Sequence, residues 1–334
     1  MTILKKNIAI IGSGAWGTAL ASHLAKLNHN VMIWGVDDKE ILEINSKKSN
    51  KILPHYKIPK GVRASTSLEA VLNQSSTMII AVPSHAFRET LIKISRINHT
   101  CASLSWATKG FEIDTGKLLH DVVKEELGEE LPTAVISGPT FALEVAQGQP
   151  SAITIASLDE SYCNYMANLI SSISLRAYKS NDIIGVEVGG SVKNILAIAA
   201  GISDGLGLGA NTRAALITRG LSEIIKLGTK LGANKNTFMG LSGMGDLILT
   251  CSDDQSRNRR FGIEIAKGCE IEEAKRKIGS TIEGYLAAKA TYNIARKANI
   301  EMPITNEVYN IIYEGVHPAS AIEKLMSRPI ISEK

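Results

Sequence analysis

The chain has 334 residues, 44% of them apolar and 21% charged, the composition of an ordinary globular protein long enough for two domains and a sizeable core. A formal net charge of +4 is too small to argue for nucleic acid and enough to suit an anionic small molecule. The four cysteines, at positions 101, 163, 251 and 269, are scattered without zinc spacing, and the seven histidines show no clustered-ligand pattern, so no metal site is expected.

Met1 to Lys6 runs straight into a strand, which argues against a leader sequence, and no stretch reaches the ~20 uninterrupted apolar residues of a membrane span. A reducing cytoplasm, with free thiols, is the expected setting. Residues 7–11 read as a buried parallel strand that enters Gly12-Ser13-Gly14-Ala15-Trp16-Gly17 directly. Helical spacing over 15–27 and a second strand at 31–34 complete the strand–loop–helix–strand unit in which G-x-G-x-x-G binds a dinucleotide. Gly12 is expected to permit the tight turn, Gly14 to let the backbone approach a pyrophosphate, and Gly17 to let the helix pack on the strand. The helix start supplies N–H groups and positive potential to the phosphates. The cofactor is NAD(H) or NADP(H): Gly35-Val36-Asp37-Asp38-Lys39, at the end of the second strand, offers an acid slightly late and a lysine behind it, and does not choose.

Short apolar runs at 77–82, 102–107, 133–136 and 152–155 read as further strands. The first three end in Pro83-Ser84, Thr108-Lys109-Gly110 and Gly138-Pro139-Thr140, which become rim segments if ligands collect outside the carboxyl ends of the strands. Lys109 stands out there, although a solvated loop lysine is the plainer alternative. A last strand at 175–178 precedes a change to helical spacing that continues to about residue 326, placing a boundary near Ser180. The expectation is an α/β protein in which a Rossmann-like doubly wound sheet, 1–180, is followed by an all-helical domain, 181–334.

The stretch 185–202 is an apolar helix of small residues with one cation, Lys193. Nothing on its own helix face can pair with an ammonium, so Lys193 must reach solvent, a carboxylate from elsewhere, or a polar ligand. Gly189 and Gly190 are expected to clear space one turn before it. Gly205-Leu206-Gly207-Leu208-Gly209 follows a helix and reads as a helix connection. Gly240-Leu241-Ser242-Gly243-Met244-Gly245-Asp246-Leu247 places one carboxylate among glycines, making Asp246 the natural partner of Lys193. Ser256-Arg257-Asn258-Arg259-Arg260-Phe261-Gly262 opens a helix with an N-cap serine and three arginines, a phosphate-binding pattern or a solvated basic turn.

These blocks, with Ala107-Thr108-Lys109-Gly110-Phe111, Ser137-Gly138-Pro139-Thr140-Phe141-Ala142, Val192-Lys193-Asn194-Ile195 and Glu283-Gly284-Tyr285, resemble the bacterial-type NAD(P)-dependent glycerol-3-phosphate dehydrogenases over nearly the whole length. The resemblance implies a homodimer that reduces dihydroxyacetone phosphate to sn-glycerol 3-phosphate for phospholipid synthesis. It implies that Lys193 is the general acid/base, with Lys109 and Asp246 completing the catalytic set. The substrate would also be met by Gly138, Thr140, Asn194, Thr250, Ser256, Arg257 and Asn258. The cofactor would be met by Gly12, Gly14, Ala15, Trp16, Gly17, Val36, Pro83, Lys109, Ala142, Arg257, Thr281 and Glu283. Val36 departs from the His or Arg usual beside the adenine ribose, and Met244 from the usual leucine. The alternatives are another two-domain hydroxy-acid dehydrogenase and a non-catalytic dinucleotide sensor.

Overall fold

The computed structural model describes residues 5–329 and 332. Residues 1–4, on which the argument against a leader partly rests, lie outside the described residues, as do 330, 331, 333 and 334. The chain forms two compact units, Met1–Glu112 with Lys117–Glu187 and Ile113–Gly116 with Val188–Lys334.

The first unit is built on eight strands: β1 (Asn7–Ile11), β2 (Asn30–Trp34), β3 (Val62–Ser65), β4 (Thr77–Ile80), β5 (Leu104–Trp106), β6 (Thr133–Ser137), β7 (Ser151–Ala156) and β8 (Leu175–Ser180). They form one sheet in the order β3-β2-β1-β4-β5-β6-β7-β8. All neighbours are parallel except β6 and β7, where Val135 faces Ala156 and Ser137 faces Thr154 in antiparallel register. β1 lies between β2 and β4, so the chain order reverses beside it, and the glycine loop leaves its carboxyl end at that switch point.

The alternation of β1 explains why both faces are covered. Ile8 and Ile10 pack with Leu20 and Leu24 of the helix Ala15–Lys26 in one core. Ala9 and Ile11 pack with Phe87 and Leu91 of the helix Phe87–Ser95 in another. Each fully buried isoleucine or leucine contributes about 1.5–3 kcal/mol, enough to set the register of a strand this short. β4 ends at Ile80, before the expected 82, and the Ala81 backbone that follows lies against the glycine loop: a Cβ on Gly12 would lie 2.7 Å from the Ala81 carbonyl oxygen.

The second unit is helical among its described residues, and its long helix Ile183–Gly205 begins in the first unit. That helix is apolar and long enough to cross a membrane, but 94% of its most apolar window is buried, so it is a core helix. Its small residues admit neighbouring backbones. A Cβ on Gly201 would meet the Arg259 carbonyl oxygen at 1.9 Å, and one on Gly189 would meet that of Ser242 at 2.5 Å. Gly189 therefore does not clear a space for a ligand; the missing side chain is replaced by the Ser242–Gly243 backbone. Gly205 ends this helix and Gly209 caps the next, Ala210–Lys230, so the five-residue glycine run is a helix connection.

Candidate active site

In the first unit the glycine loop is held from beneath. Asn50, 3% exposed, donates from Nδ2 to the Ser13 carbonyl oxygen (2.8 Å), to Thr18 Oγ1 (2.9 Å) and to Glu40 Oε1 (3.0 Å). Ser13 Oγ donates to Glu40 Oε2 at 2.8 Å, and Thr18 Oγ1 to the Ser13 carbonyl at 3.0 Å. The loop's shape is thus set by buried side chains, and its glycines divide by cause. Gly12 has a φ of +123° and lies against Ala81; a Cβ on Gly17 would fall 2.0 Å from the Gly12 carbonyl oxygen. Gly14, the N-cap of the helix Ala15–Lys26, would meet nothing within 4 Å. Packing requires the first and third glycines, whereas the second faces open space at a helix N-terminus.

Around that loop, Val36 is 78% exposed just beyond β2. Asp37 caps the helix Asp38–Ser46, its Oδ1 accepting from the Lys39 and Glu40 backbone N–H groups at 2.8 and 3.4 Å. Pro83 follows β4, half-buried, and Ala142 opens the helix Ala142–Gln147. On the rim, half-buried Lys109 donates from Nζ to the Gly138 carbonyl oxygen at 3.4 Å, which also accepts from Thr140 Oγ1 at 3.3 Å. Thr108 Oγ1 donates to the Val82 carbonyl at 2.8 Å and fixes the loop one residue earlier.

In the second unit Lys193, 6% exposed, donates to Asp246 Oδ1 and, at 2.8 Å, to Thr250 Oγ1. Asp246 is 1% exposed and Thr250 5%. The short π-helical segment Leu241–Gly245 delivers that carboxylate: Gly245 N donates to the Gly240 carbonyl at 3.1 Å, and the helix Asp246–Ser252 begins immediately after. The surroundings are buried: the neighbouring Cys251 is 0% exposed, and burial pushes its thiol up to about 12. A buried ammonium held by a carboxylate and a hydroxyl is a proton donor in a fixed position.

Asn194, next on the helix, joins a separate polar chain. Its Nδ2 donates to the Gly190 carbonyl at 3.2 Å, its Oδ1 accepts from Asn258 Nδ2 at 2.9 Å, and Asn258 Oδ1 accepts from the Gly284 N–H at 2.9 Å. Ser256 caps the helix Arg257–Ala266 by accepting from Arg259 N at 3.2 Å. The three arginines part company. Arg259 pairs with Asp204 at 2.6 Å and with Asp254, Arg260 is exposed, and Arg257 donates to Ser280 Oγ at 3.3 Å. Burial lowers the pKa of the Arg257 guanidinium from its ordinary value; Glu283 opposes that shift and Arg260 adds to it. A desolvated cation of this kind gains from an anionic ligand. Among the described residues no cluster of His, Cys, Asp or Glu could hold a metal ion.

Residues 7–163 match the family described as NAD-dependent glycerol-3-phosphate dehydrogenase N-terminus, and residues 182–323 the one described as its C-terminus. The chain belongs to the NAD-dependent glycerol-3-phosphate dehydrogenase family. A Bartonella tribocorum glycerol-3-phosphate dehydrogenase [NAD(P)+] is 47% identical over 332 residues, 98% of this chain and 99% of that protein. The crystal structure of the Coxiella burnetii glycerol-3-phosphate dehydrogenase is 43% identical with a TM-score of 0.94, covering 97% of this chain and 99% of that one. A ketopantoate reductase of Ralstonia eutropha, 14% identical with a TM-score of 0.59 over 94% of this chain and 99% of its own, shares the fold alone.

Within this family member, most of the residues singled out from sequence fall into five groups. Gly12, Gly14, Ala15, Trp16 and Gly17 form the loop and first helical turn, and Lys109, Gly138 and Thr140 meet at one carbonyl. Lys193, Asp246 and Thr250 form one hydrogen-bonded set, while Asn194 and Asn258 form another. Thr281 and Glu283 flank Ile282 at the start of the helix Glu283–Lys297. Reading the sequence missed Glu40, Asn50, Asp204 and Ser280, which act through partners 9 to 55 residues away and carry no local pattern.

Proposed function

We propose that this chain interconverts dihydroxyacetone phosphate and sn-glycerol 3-phosphate with NAD(H) or NADP(H), in the cytoplasm, as a homodimer, supplying glycerol 3-phosphate to phospholipid synthesis. In this reading residues 1–180 form the dinucleotide-binding domain, which also lends Lys109, Gly138 and Thr140 to the substrate, and 181–334 form the helical substrate and catalytic domain. The observation that carries it is the buried Lys193 ammonium, held by Asp246 and Thr250.

When bound, the reduced nicotinamide supplies a hydride. As negative charge grows on the ketone oxygen, Lys193 gives that oxygen a proton, and in the reverse direction takes it back. Asp246 holds the ammonium in place, and Thr250 fixes the direction of a second N–H. Lys109 engages substrate and cofactor, with Gly138 and Thr140 lining the substrate. Arg257 and Asn258 hold the substrate phosphate beside Ser256 and Asn194, the arginine as a desolvated cation and Asn258 through its amide. Gly12, Gly14, Ala15, Trp16 and Gly17 cradle the pyrophosphate, and Val36, Pro83, Ala142, Thr281 and Glu283 complete the cofactor contacts.

Turnover of dihydroxyacetone phosphate and of unphosphorylated dihydroxyacetone, each with NADH and with NADPH, tests the reading. Strong preference for the phosphorylated ketone is expected. Equal turnover of both ketones, or none with either cofactor, would contradict it. The ketopantoate reductase likeness, restricted to fold, gives no reason to expect a hydroxy acid instead.

A further inference from the structure

We propose that Arg88 is a positioning residue for Lys109: its guanidinium moors the rim loop that carries this lysine. The proposal rests on the reading that Lys109 engages substrate and cofactor.

The loop 108–112 is staked on both sides of Lys109. Before it, Thr108 is bonded to the Val82 carbonyl at 2.8 Å. After it, Phe111 is 1% exposed in the core, and Glu112 is gripped by Arg88, whose Nε faces Oε1 and whose Nη2 faces Oε2 at 2.9 Å. This two-point fork fixes the carboxylate's direction as well as its distance, which a single ammonium would not do. Arg88 stands in the first turn of the helix Phe87–Ser95, five residues after Pro83, so it ties the rim segment following β4 to the one following β5.

The same guanidinium also meets Glu125 Oε2 at 2.7 Å and Glu126 Oε1, both on the helix Leu119–Leu127. Three carboxylates therefore converge on one cation, and Lys117 also reaches Glu125. Without the fork the Glu112 carboxylate loses its two-point hold while two other carboxylates stand beside it. Lys109 lies three residues from Glu112, and a reacting group displaced by about 1 Å can cost about a hundredfold in rate.

The test compares wild type, R88K, E112Q, K109M and the doubles R88K/K109M and E112Q/K109M as full-length protein, reading kcat and KM for dihydroxyacetone phosphate with saturating cofactor, and Tm. R88K keeps the charge and loses the fork; E112Q keeps the shape and serves if R88K folds poorly. Expected is a fall in kcat/KM of about tenfold for R88K or E112Q, with Tm within a few degrees of wild type, shrinking to about twofold or less in the K109M background. Wild-type kcat/KM in both single variants overturns the proposal, as does an equal loss with and without Lys109, because a purely structural effect is indifferent to that side chain. Undiminished turnover by K109M itself would overturn the Lys109 reading instead.

Discussion

The glycine loop of the first unit and the lysine cluster of the second are built by opposite means. The loop is contiguous, offers backbone N–H groups, and depends on what is missing: Cβ atoms at Gly12 and Gly17 would strike backbone, whereas one at Gly14 would strike nothing. The cluster is discontinuous and depends on what is present, since Lys193 finds Asp246 and Thr250 at separations of 53 and 57 residues. A backbone site should therefore respond to added volume and a side-chain site to altered charge. That contrast can be broken or sharpened by substitution.

The largest effect is expected at the cluster. Asp246→Ala leaves a buried ammonium without its carboxylate and should cost about 3–5 kcal/mol in stability by urea unfolding. A loss comparable with that of an exposed ion pair would show that water already reaches Lys193. Next, Arg257→Ala should raise KM for dihydroxyacetone phosphate by about a hundredfold while leaving Tm nearly unchanged, the reverse of the Asp246 result. Gly14→Val should leave folding intact and weaken NADH binding about tenfold by fluorescence titration, because its side chain would occupy the ligand's space. If Gly14→Val unfolds the protein with cofactor affinity unmoved, the division among the three glycines fails.

The smallest effect is one of pH. His23, 3% exposed with Nε2 at 2.7 Å from the Ile170 carbonyl oxygen, has its pKa lowered by burial, a shift that the Ile170 bond opposes. Its unfolded value is the higher one, so the unfolded chain takes up a proton first as the solution is acidified. Stability from this site is present above about pH 6.5 and is lost as pH falls through the lower folded value. His23→Gln does not titrate there, so wild type should lose stability relative to it as the pH is lowered from 7.5 to 5. An unchanging difference would mean that His23 charges freely in the fold.

The same contrast decides how much was legible in the sequence. The glycine loop was readable because each glycine, the strand before it and the helix after it are neighbours in the chain. The partnership of Lys193 and Asp246 was readable only by elimination, from an apolar helix with no acid on the face of Lys193 and a carboxylate set among glycines. What escaped was relational. β3 is four residues long with Arg63 facing outward, too short and too polar to announce itself. The antiparallel turn of β7 follows the six-residue helix Ala142–Gln147, and strand direction leaves no mark in composition. Gly189 read as room for a ligand because the Ser242 backbone that fills it arrives from a distant segment. The three clustered arginines read as a phosphate site or a solvated basic turn, and neither reading shows that Asp204 claims Arg259 from 55 residues away.

The central claim is that Lys193 moves the proton. Lys193→Met, which keeps the unbranched stem and removes the charge, should be assayed for reduction of dihydroxyacetone phosphate at saturating cofactor and substrate, with NADH binding measured on the same preparation. The account predicts a folded, cofactor-binding protein whose kcat falls by about a thousandfold. A folded variant that turns over at near wild-type rate would contradict it.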